Sequence, residues 1–285
     1  MAPIKQYPYD PSRVAAVVFA ALYGITAVVT TIQYFWWRCW YWLPMLVASL
    51  MEAIGYIARS YSAYHEYDEG SFDTQYLLVF LAPTVMAAAC YMTMGRIILH
   101  ACHPRYINKR TLWVTPRFMT PIFVTFDILA IVVQLIGGIL SISTTPSSVK
   151  LGYNIAKAGL VVQLVSFGLF IVLSMRFHFI SRNPTMVTSD PRWKRLLLCL
   201  NIACLLIFAR SLYRLVEFSE GSDGYLNLHE WNYYVFEAAL IVPAVAIFNV
   251  CHPARYLPNT SWRQAKPAQS ITSEEIDLEM EQRGS

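Results

Sequence analysis

Seven apolar runs of about 20 residues dominate this chain. Each run is long enough to cross roughly 30 Å of hydrocarbon at about 1.5 Å per residue, and a backbone in lipid must form helices to satisfy its polar groups. Composition agrees, because 56% of the 285 residues are hydrophobic and 14% are charged. The sequence therefore predicts an all-α membrane protein. Its predicted spans are 14–35, 41–59, 76–99, 119–141, 155–176, 195–217 and 232–251.

The charges of the connecting segments predict the orientation. The loops after the third and fifth spans are rich in Lys and Arg, whereas those after the second and sixth are acidic. Basic loops stay in the cytosol, so residues 1–13 are predicted to be extracytosolic. Residues 14–253 form the predicted transmembrane domain. The polar residues 254–285 form a predicted cytosolic tail without stable structure, which phosphorylation and cytosolic regulators would be able to reach.

Two pairs of similar segments indicate an internal repeat. ARSYSAYHEYDEG, residues 58–70, aligns without gaps on ARSLYRLVEFSEG, residues 209–221, and a Cys-His-Pro motif follows at similar helix ends. The predicted repeats are 14–106 and 155–256, with a linker helix at 119–141. Parallel repeats of this kind occur in transporters. Biased composition at helix ends is the alternative explanation.

An acidic residue near the middle of the second span is the first candidate for function. Glu52 would cost about 2.5–3.5 kcal/mol there, so it must be paired, protonated or exposed to water. Tyr56 and Arg59 share its helix face. We expect Glu52 to bind a ligand or a proton.

The fourth and seventh spans carry further polar residues. Asp127 and Gln134 share one helix face, where they would serve a binding site or hydrogen-bond a neighbouring helix. Glu237 precedes Pro243, and Pro83 interrupts the third span. Proline leaves backbone carbonyls without their helical partner, and these can face a cavity.

The sixth span ends in a charged face. Arg210, Arg214 and Glu217 are spaced by four and three residues, so they project from one side of the helix. Two interpretations stay open. The arginines would form a salt-bridged latch with Glu230 or Glu237, or bind an anionic headgroup through their planar guanidinium groups.

The sequence lacks the signatures of several enzyme classes. It contains no G-x-x-x-x-G-K-[ST] motif for ATP. Its histidines fall near the predicted helix ends, without the His-x-x-x-His spacing of seven-helix zinc hydrolases. We expect no enzymatic activity, no cofactor, no metal site and no nucleic-acid partner.

Five stretches carry a resemblance to a known family. The chain resembles the fungal lipid-translocating exporters, the RTA-like seven-helix proteins linked to resistance against toxic lipids and drugs. The resemblance covers all seven spans. The matching stretches are MEAIGYIAR at 51–59, LAPTVMAAACYMTMGRII at 81–98, FDILAIVVQLIGGIL at 126–140, RSLYRLVEF at 210–218 and GYLNLHEWNYYVFEAALIVPAVAIFNVCHP at 224–253.

The resemblance implies a plasma-membrane or endomembrane protein that moves or senses sphingoid long-chain bases, phospholipids, sterol-like compounds or porphyrins. Glu237 departs from the aspartate expected at its position. Besides the residues discussed above, the polar residues shared with the family are Tyr91, Arg96, His229 and Glu230. The candidate set for substrate binding or translocation leaves out Arg96 and comprises Glu52, Tyr56, Arg59, Tyr91, Asp127, Gln134, Arg210, Arg214, Glu217, His229, Glu230 and Glu237.

The sequence thus predicts export or translocation of amphipathic lipids or drug-like amphiphiles. Membrane lipids and a second copy of the chain are the expected partners. The alternative is a seven-helix receptor or regulator that senses lipids and signals to cytosolic partners, since the predicted orientation fits both classes.

The predicted orientation is testable at the sequon Asn259-Thr260-Ser261. A cytosolic tail never meets the glycosylation machinery, so Asn259 should stay unmodified. A mobility shift on glycosidase treatment checks this. Modification of Asn259 would show that the orientation is the reverse of the predicted one.

Overall fold

The computed structural model confirms the all-α prediction. It describes residues 11–65, 67–102, 114–141, 145–182, 187, 192–220 and 224–257, and within these ranges there is no β-strand beyond one isolated bridge between Cys102 and Val187. Seven helices are long and apolar enough to cross a membrane. The predicted tail beyond residue 257 and most of the first 13 residues lie outside the described ranges.

The seven helices, named in chain order, are longer than the apolar runs. They are α1 (Arg13–Trp37), α2 (Leu43–Tyr64), α3 (Glu69–Ala101), α4 (Pro116–Ser141), α5 (Pro146–Ile180), α6 (Arg192–Glu220) and α7, which comprises Glu230–Tyr233, a π turn at Tyr234–Ala238 and Ala239–Val250. The helices α3 and α5 begin seven and nine residues before the predicted spans, because each includes the more polar residues that precede its apolar run.

Consecutive helices run in opposite directions, which gives the bundle two ends. At the end called here the acidic end, Ser12 N–H, just before α1, donates to Glu230 at the start of α7. At the opposite, basic end, the ring of Trp37 in α1 lies 4.4 Å from that of His252 after α7. Which end faces the cytosol, and whether the bundle contains two repeats, stay predictions.

Helix α3 lies at the centre of the bundle. It contacts α2, α4, α5 and α6, while α1 packs between α2 and α7. Thr30 of α1 donates to Asn249 of α7, and Gln33 donates to the Asn249 carbonyl. These bonds add to packing, because lipid supplies little hydrophobic force between helices.

Glycines allow α4 and α5 to pack closely. A Cβ atom at Gly137 would lie 2.4 Å from the Ala156 nitrogen, and one at Gly152 would lie 2.7 Å from the Gly137 oxygen. At Gly138, one residue on, a Cβ would meet nothing within 4 Å. Of the two adjacent glycines, Gly137 is therefore the one that allows this contact.

This difference predicts opposite effects for one substitution at adjacent residues. Gly137→Ala should destabilise the protein by about 1–3 kcal/mol, because the new methyl group overlaps the α5 backbone. Gly138→Ala should leave the melting temperature unchanged. Thermal unfolding of both variants in detergent checks this, and equal behaviour would contradict the α4–α5 contact.

Candidate functional site

Helix α6 supplies three charged side chains to the interior. Arg210, Arg214 and Glu217 lie along one face of the helix, as their spacing predicts, and all three are buried. A buried charge is costly unless other protein groups compensate it. Their partners come from α3, α7 and α6 itself.

Glu237 of α7 is the shared partner of both arginines. Its Oε1 accepts from Arg210 Nη2 at 2.7 Å and also from Arg214 Nη2. Glu237 belongs to the π turn, where Ala239 N–H bonds the carbonyl of Tyr234 five residues back. Such turns add a residue to the helix and are frequent at functional sites. Here the turn is fixed by Tyr23 of α1, whose hydroxyl donates to the Ala238 carbonyl at 2.8 Å.

A proline in α3 provides the second partner of Arg210. Pro83 has no N–H group, so the Val79 carbonyl four residues earlier lacks its helical donor. Arg210 Nη2 donates to this oxygen at 2.7 Å. The open carbonyl expected near Pro83 therefore binds an arginine of α6.

Arg59 of α2 pairs with the start of α7. Its Nη2 donates to Glu230 Oε1 at 3.2 Å, and its Nε donates to the Tyr234 hydroxyl at 3.2 Å. Its guanidinium carbon lies 4.0 Å from the centre of the Tyr233 ring, a favourable cation–π contact. Glu230 also accepts from Ser12 N–H. This pair joins the acidic ends of α1, α2 and α7.

Arg214 completes the set through α6 and α3. Its Nη1 donates to Glu217 Oε2 at 2.9 Å. Its guanidinium carbon lies 5.7 Å from the centre of the Tyr76 ring and 5.9 Å from that of Phe80. We call the six charged residues Arg59, Arg210, Arg214, Glu217, Glu230 and Glu237 the ion cluster.

Glu52 adds a fourth carboxyl group to the three of the ion cluster, and it lies near Arg210 and Arg214. It is 1% exposed and lies within electrostatic range of Arg210, Arg214 and Glu237. Neither of its oxygens has a hydrogen-bond partner among the described residues. The cluster pairs three arginines with three glutamates. Glu52 is therefore one acid in excess.

The rings of Tyr23 and Tyr56 border Glu52. They stack with centroids 4.5 Å apart, and both lie within electrostatic range of the carboxyl group. Tyr56, one of the sequence candidates, thus belongs to this region. The site combines aromatic surface with charge.

Asp127 and Gln134 belong to a separate set of polar contacts. Tyr91 of α3 donates to Asp127 Oδ2 at 2.8 Å. Gln134 Nε2 donates to Gln163 of α5, whose own Nε2 donates to Thr84 of α3 at 2.6 Å. The helix–helix hydrogen bonds that the sequence left open are therefore present. The Tyr91–Asp127 bond joins α3 to α4 directly, and Gln163 joins them through α5.

His229, like Tyr91, Asp127 and Gln134, lies outside the ion cluster. It is exposed, and its ring stacks on Tyr225 with centroids 4.0 Å apart.

The sequence analysis missed four residues that contact the candidates, namely Tyr23, Val79, Gln163 and Tyr233. Only Val79 had a local signal, namely Pro83 four residues later.

The shared carboxylate predicts unequal effects of removing two glutamate charges. Glu237→Gln should cost about 3–5 kcal/mol, because two buried arginines lose their common anion. Glu230→Gln should cost less, since Arg59 keeps the Tyr234 hydroxyl and the Tyr233 ring. Melting temperatures in detergent compare the two variants. A larger loss for Glu230→Gln would contradict Glu237 as the central acceptor.

Comparison with known proteins places the chain in a family. Residues 45–260 match the profile described as RTA1 like protein. Protein RTM1 of Saccharomyces cerevisiae is 35% identical over 73% of this chain and 66% of its own length. Protoporphyrin uptake protein 1 of the same species is 28% identical, over 86% of this chain and 90% of that protein.

A third yeast relative is the sphingoid long-chain base transporter RSB1, 24% identical over 83% of this chain and 70% of that protein. No solved structure matches the chain. The match to the family profile spans α3 to α7 in full and all of α2 but its first two residues, and it includes every member of the ion cluster and Glu52. The chain belongs to the RTA1-like family of multi-pass membrane proteins.

Proposed function

We propose that this protein translocates amphipathic lipids across the plasma membrane or an endomembrane, and so confers resistance to toxic lipids or drugs. Sphingoid long-chain bases, phospholipids and related amphiphiles are the proposed substrates. The ion cluster with Glu52 is the proposed headgroup site. The protein acts as a carrier and not as an enzyme.

The excess carboxyl group is the observation that carries this proposal. With Glu52 ionised, the buried region has four carboxylates and three guanidinium groups, so one negative charge is uncompensated. A proton or the ammonium group of a substrate would neutralise it. Buried ionisable groups in membrane proteins commonly mark substrate or proton pathways for this reason.

The ion cluster also retains hydrogen-bonding capacity for a headgroup. The Nε atoms of Arg210 and Arg214 and Oε2 of Glu237 are buried without a hydrogen-bond partner in the described part of the chain. The two arginines already share one oxygen of Glu237. An anionic group would bind the arginines, and a cationic or hydroxyl-bearing group would bind the free carboxyl oxygens.

The names of two relatives fit a site of mixed charge. One is called a sphingoid long-chain base transporter and another a protoporphyrin uptake protein. A long-chain base has a cationic ammonium group, whereas a porphyrin with carboxylate side chains is anionic. A cluster of arginines and glutamates offers partners to both.

The predicted topology gives the site its place in the membrane. With the acidic end outside the cytosol, the ion cluster lies in the outer half and Glu52 near the middle of α2. The two predicted repeats would supply Arg59 and Arg210 from equivalent positions. Transport would be passive, gradient-driven or proton-coupled, with Glu52 as the proton carrier. His229 would lie at the entrance, and the Tyr91–Asp127 and Gln134–Gln163 contacts would link moving helices.

A single acid-to-amide substitution tests the proposal. Glu52→Gln should abolish exchange of a fluorescent sphingoid base between leaflets of proteoliposomes, because the excess negative charge is lost. The melting temperature should not fall, since Glu52 forms no described hydrogen bond. Glu69→Gln, at an exposed acid in the first turn of α3, is the matched control and should exchange lipid as the native protein does.

A phosphatidylcholine probe in the same vesicles measures headgroup preference. Faster exchange of the base than of phosphatidylcholine supports cation recognition at Glu52. Full activity of Glu52→Gln would contradict the proposed role of Glu52. No exchange of either lipid by folded native protein would contradict translocation and favour a receptor.

A further inference from the structure

A cavity beside the ion cluster is the feature that the proposed function does not use. Its volume is about 510 Å³, and it lies between α3, α4 and α5, with one wall residue from α6. Its lining is mainly aliphatic and aromatic. The lining residues on which the argument rests are Asp73, Tyr76, Leu77, Phe80, Gln134 and Gly138.

The helix contacts explain why the cavity exists. Near the basic end, α3 and α4 are joined by the Tyr91–Asp127 hydrogen bond and by the contact of Tyr91 with Phe123. Further along, Gln163 of α5 bridges Gln134 and Thr84. From there to the acidic end, space opens between α3 and α4, while Gly137 keeps α4 against α5. The cavity is thus a wedge with a polar bridge at its narrow end.

The chemistry of the wedge fits an amphiphile. Among the described residues that line it, Asp73 alone is charged, and it lies near the start of α3 at the acidic end. Apart from the hydroxyl groups of Tyr76, Tyr153 and Ser141, the other lining residues down to Gln134 are apolar. Gln134 is 5% exposed, and its Oε1 has no hydrogen-bond partner among the residues described. A cationic head at Asp73 and an alkyl chain toward Gln134 would match this order.

Two aromatic rings separate the cavity from the ion cluster. Tyr76 and Phe80 line the cavity and stack with centroids 6.2 Å apart. The same rings contact the guanidinium group of Arg214. A molecule in the cavity is therefore one ring layer from the proposed headgroup site.

We propose that this wedge is a lateral binding site that holds the alkyl chain of a single-chain cationic amphiphile, with its head at Asp73, from which the head exchanges with the carboxyl group of Glu217. The inference rests on the proposed translocation and adds a second site on its path. The alkyl chain moves from lipid into an apolar wedge, so the apolar surface that it exposes to water changes little. The wedge positions the chain, and the charged head gives the selectivity.

A glycine substitution can block the wedge without disturbing the bundle. A Cβ at Gly138 meets nothing within 4 Å, so Gly138→Leu should fill the cavity with little strain. Gly24 in α1 has the same open surroundings and does not line the cavity, so Gly24→Leu is the matched control. Both variants add the same side chain to a membrane-spanning helix.

Photolabelling measures occupancy independently of transport. The probe is a long-chain alkylamine with a diazirine at the end of its tail, incorporated in phosphatidylcholine proteoliposomes. Label should appear in peptides that line the wedge, and Gly138→Leu should reduce it about tenfold, the effect of a modest overpacking penalty. Gly24→Leu should label as the native protein does. Asp73→Asn should reduce labelling by the amine but not by the alcohol of equal chain length.

Two outcomes would overturn the site. Native labelling in Gly138→Leu would show that the chain lies elsewhere, even if lipid exchange stays active. Label spread evenly over the lipid-facing helices would show annular lipid only. Wedge labelling by a protein that exchanges no lipid would support the site and contradict translocation.

A second pair of variants serves if Gly138→Leu fails to fold. Leu77→Trp, at an exposed lining residue, narrows the same wedge, and Leu22→Trp on α1 is its control.

Discussion

Three guanidinium groups within a hydrophobic bundle impose the main constraint on this structure. Each must find anions and acceptors inside the protein, because lipid provides none. Glu237, Glu217 and Glu230 supply the charge, and the Val79 carbonyl supplies a further acceptor. These contacts require α2, α3, α6 and α7 to meet near the acidic end. The positions of four helices therefore follow from the need to compensate Arg59, Arg210 and Arg214.

Local irregularities in two helices make this compensation possible. In α3, Pro83 frees the Val79 carbonyl that Arg210 binds. In α7, the π turn contains Glu237, and its Ala238 carbonyl is bonded by Tyr23. A regular helix would use the Val79 carbonyl for its own hydrogen bonds. The deviations from regular geometry thus occur where side chains from neighbouring helices bind the backbone.

The sequence predicted the helices, most polar candidates and a salt bridge of the α6 arginines with Glu230 or Glu237, which the structure contains at Glu237. Seven apolar runs determine seven helices because lipid excludes other backbone structures. Helical spacing also predicts the common face of Arg210, Arg214 and Glu217. It says nothing about which helices are neighbours, so it left Asp127 and Glu237 in one candidate set, although Asp127 bonds Tyr91 and Glu237 bonds arginines. Tertiary contacts between distant residues, such as Gln134 with Gln163, have no local signal.

The separation of charge from apolar space suggests how one bundle can act on amphiphiles. The free-energy cost of leaving water falls on the head of such a molecule, whereas its alkyl chain can remain in a hydrocarbon-like environment throughout. A protein that lowers the barrier to crossing therefore needs charge compensation within the membrane more than it needs a large enclosed cavity. Here Glu52 and the ion cluster offer that compensation. The wedge between α3 and α4, open to lipid and separated from Arg214 by Tyr76 and Phe80, keeps the chain outside the charged interior.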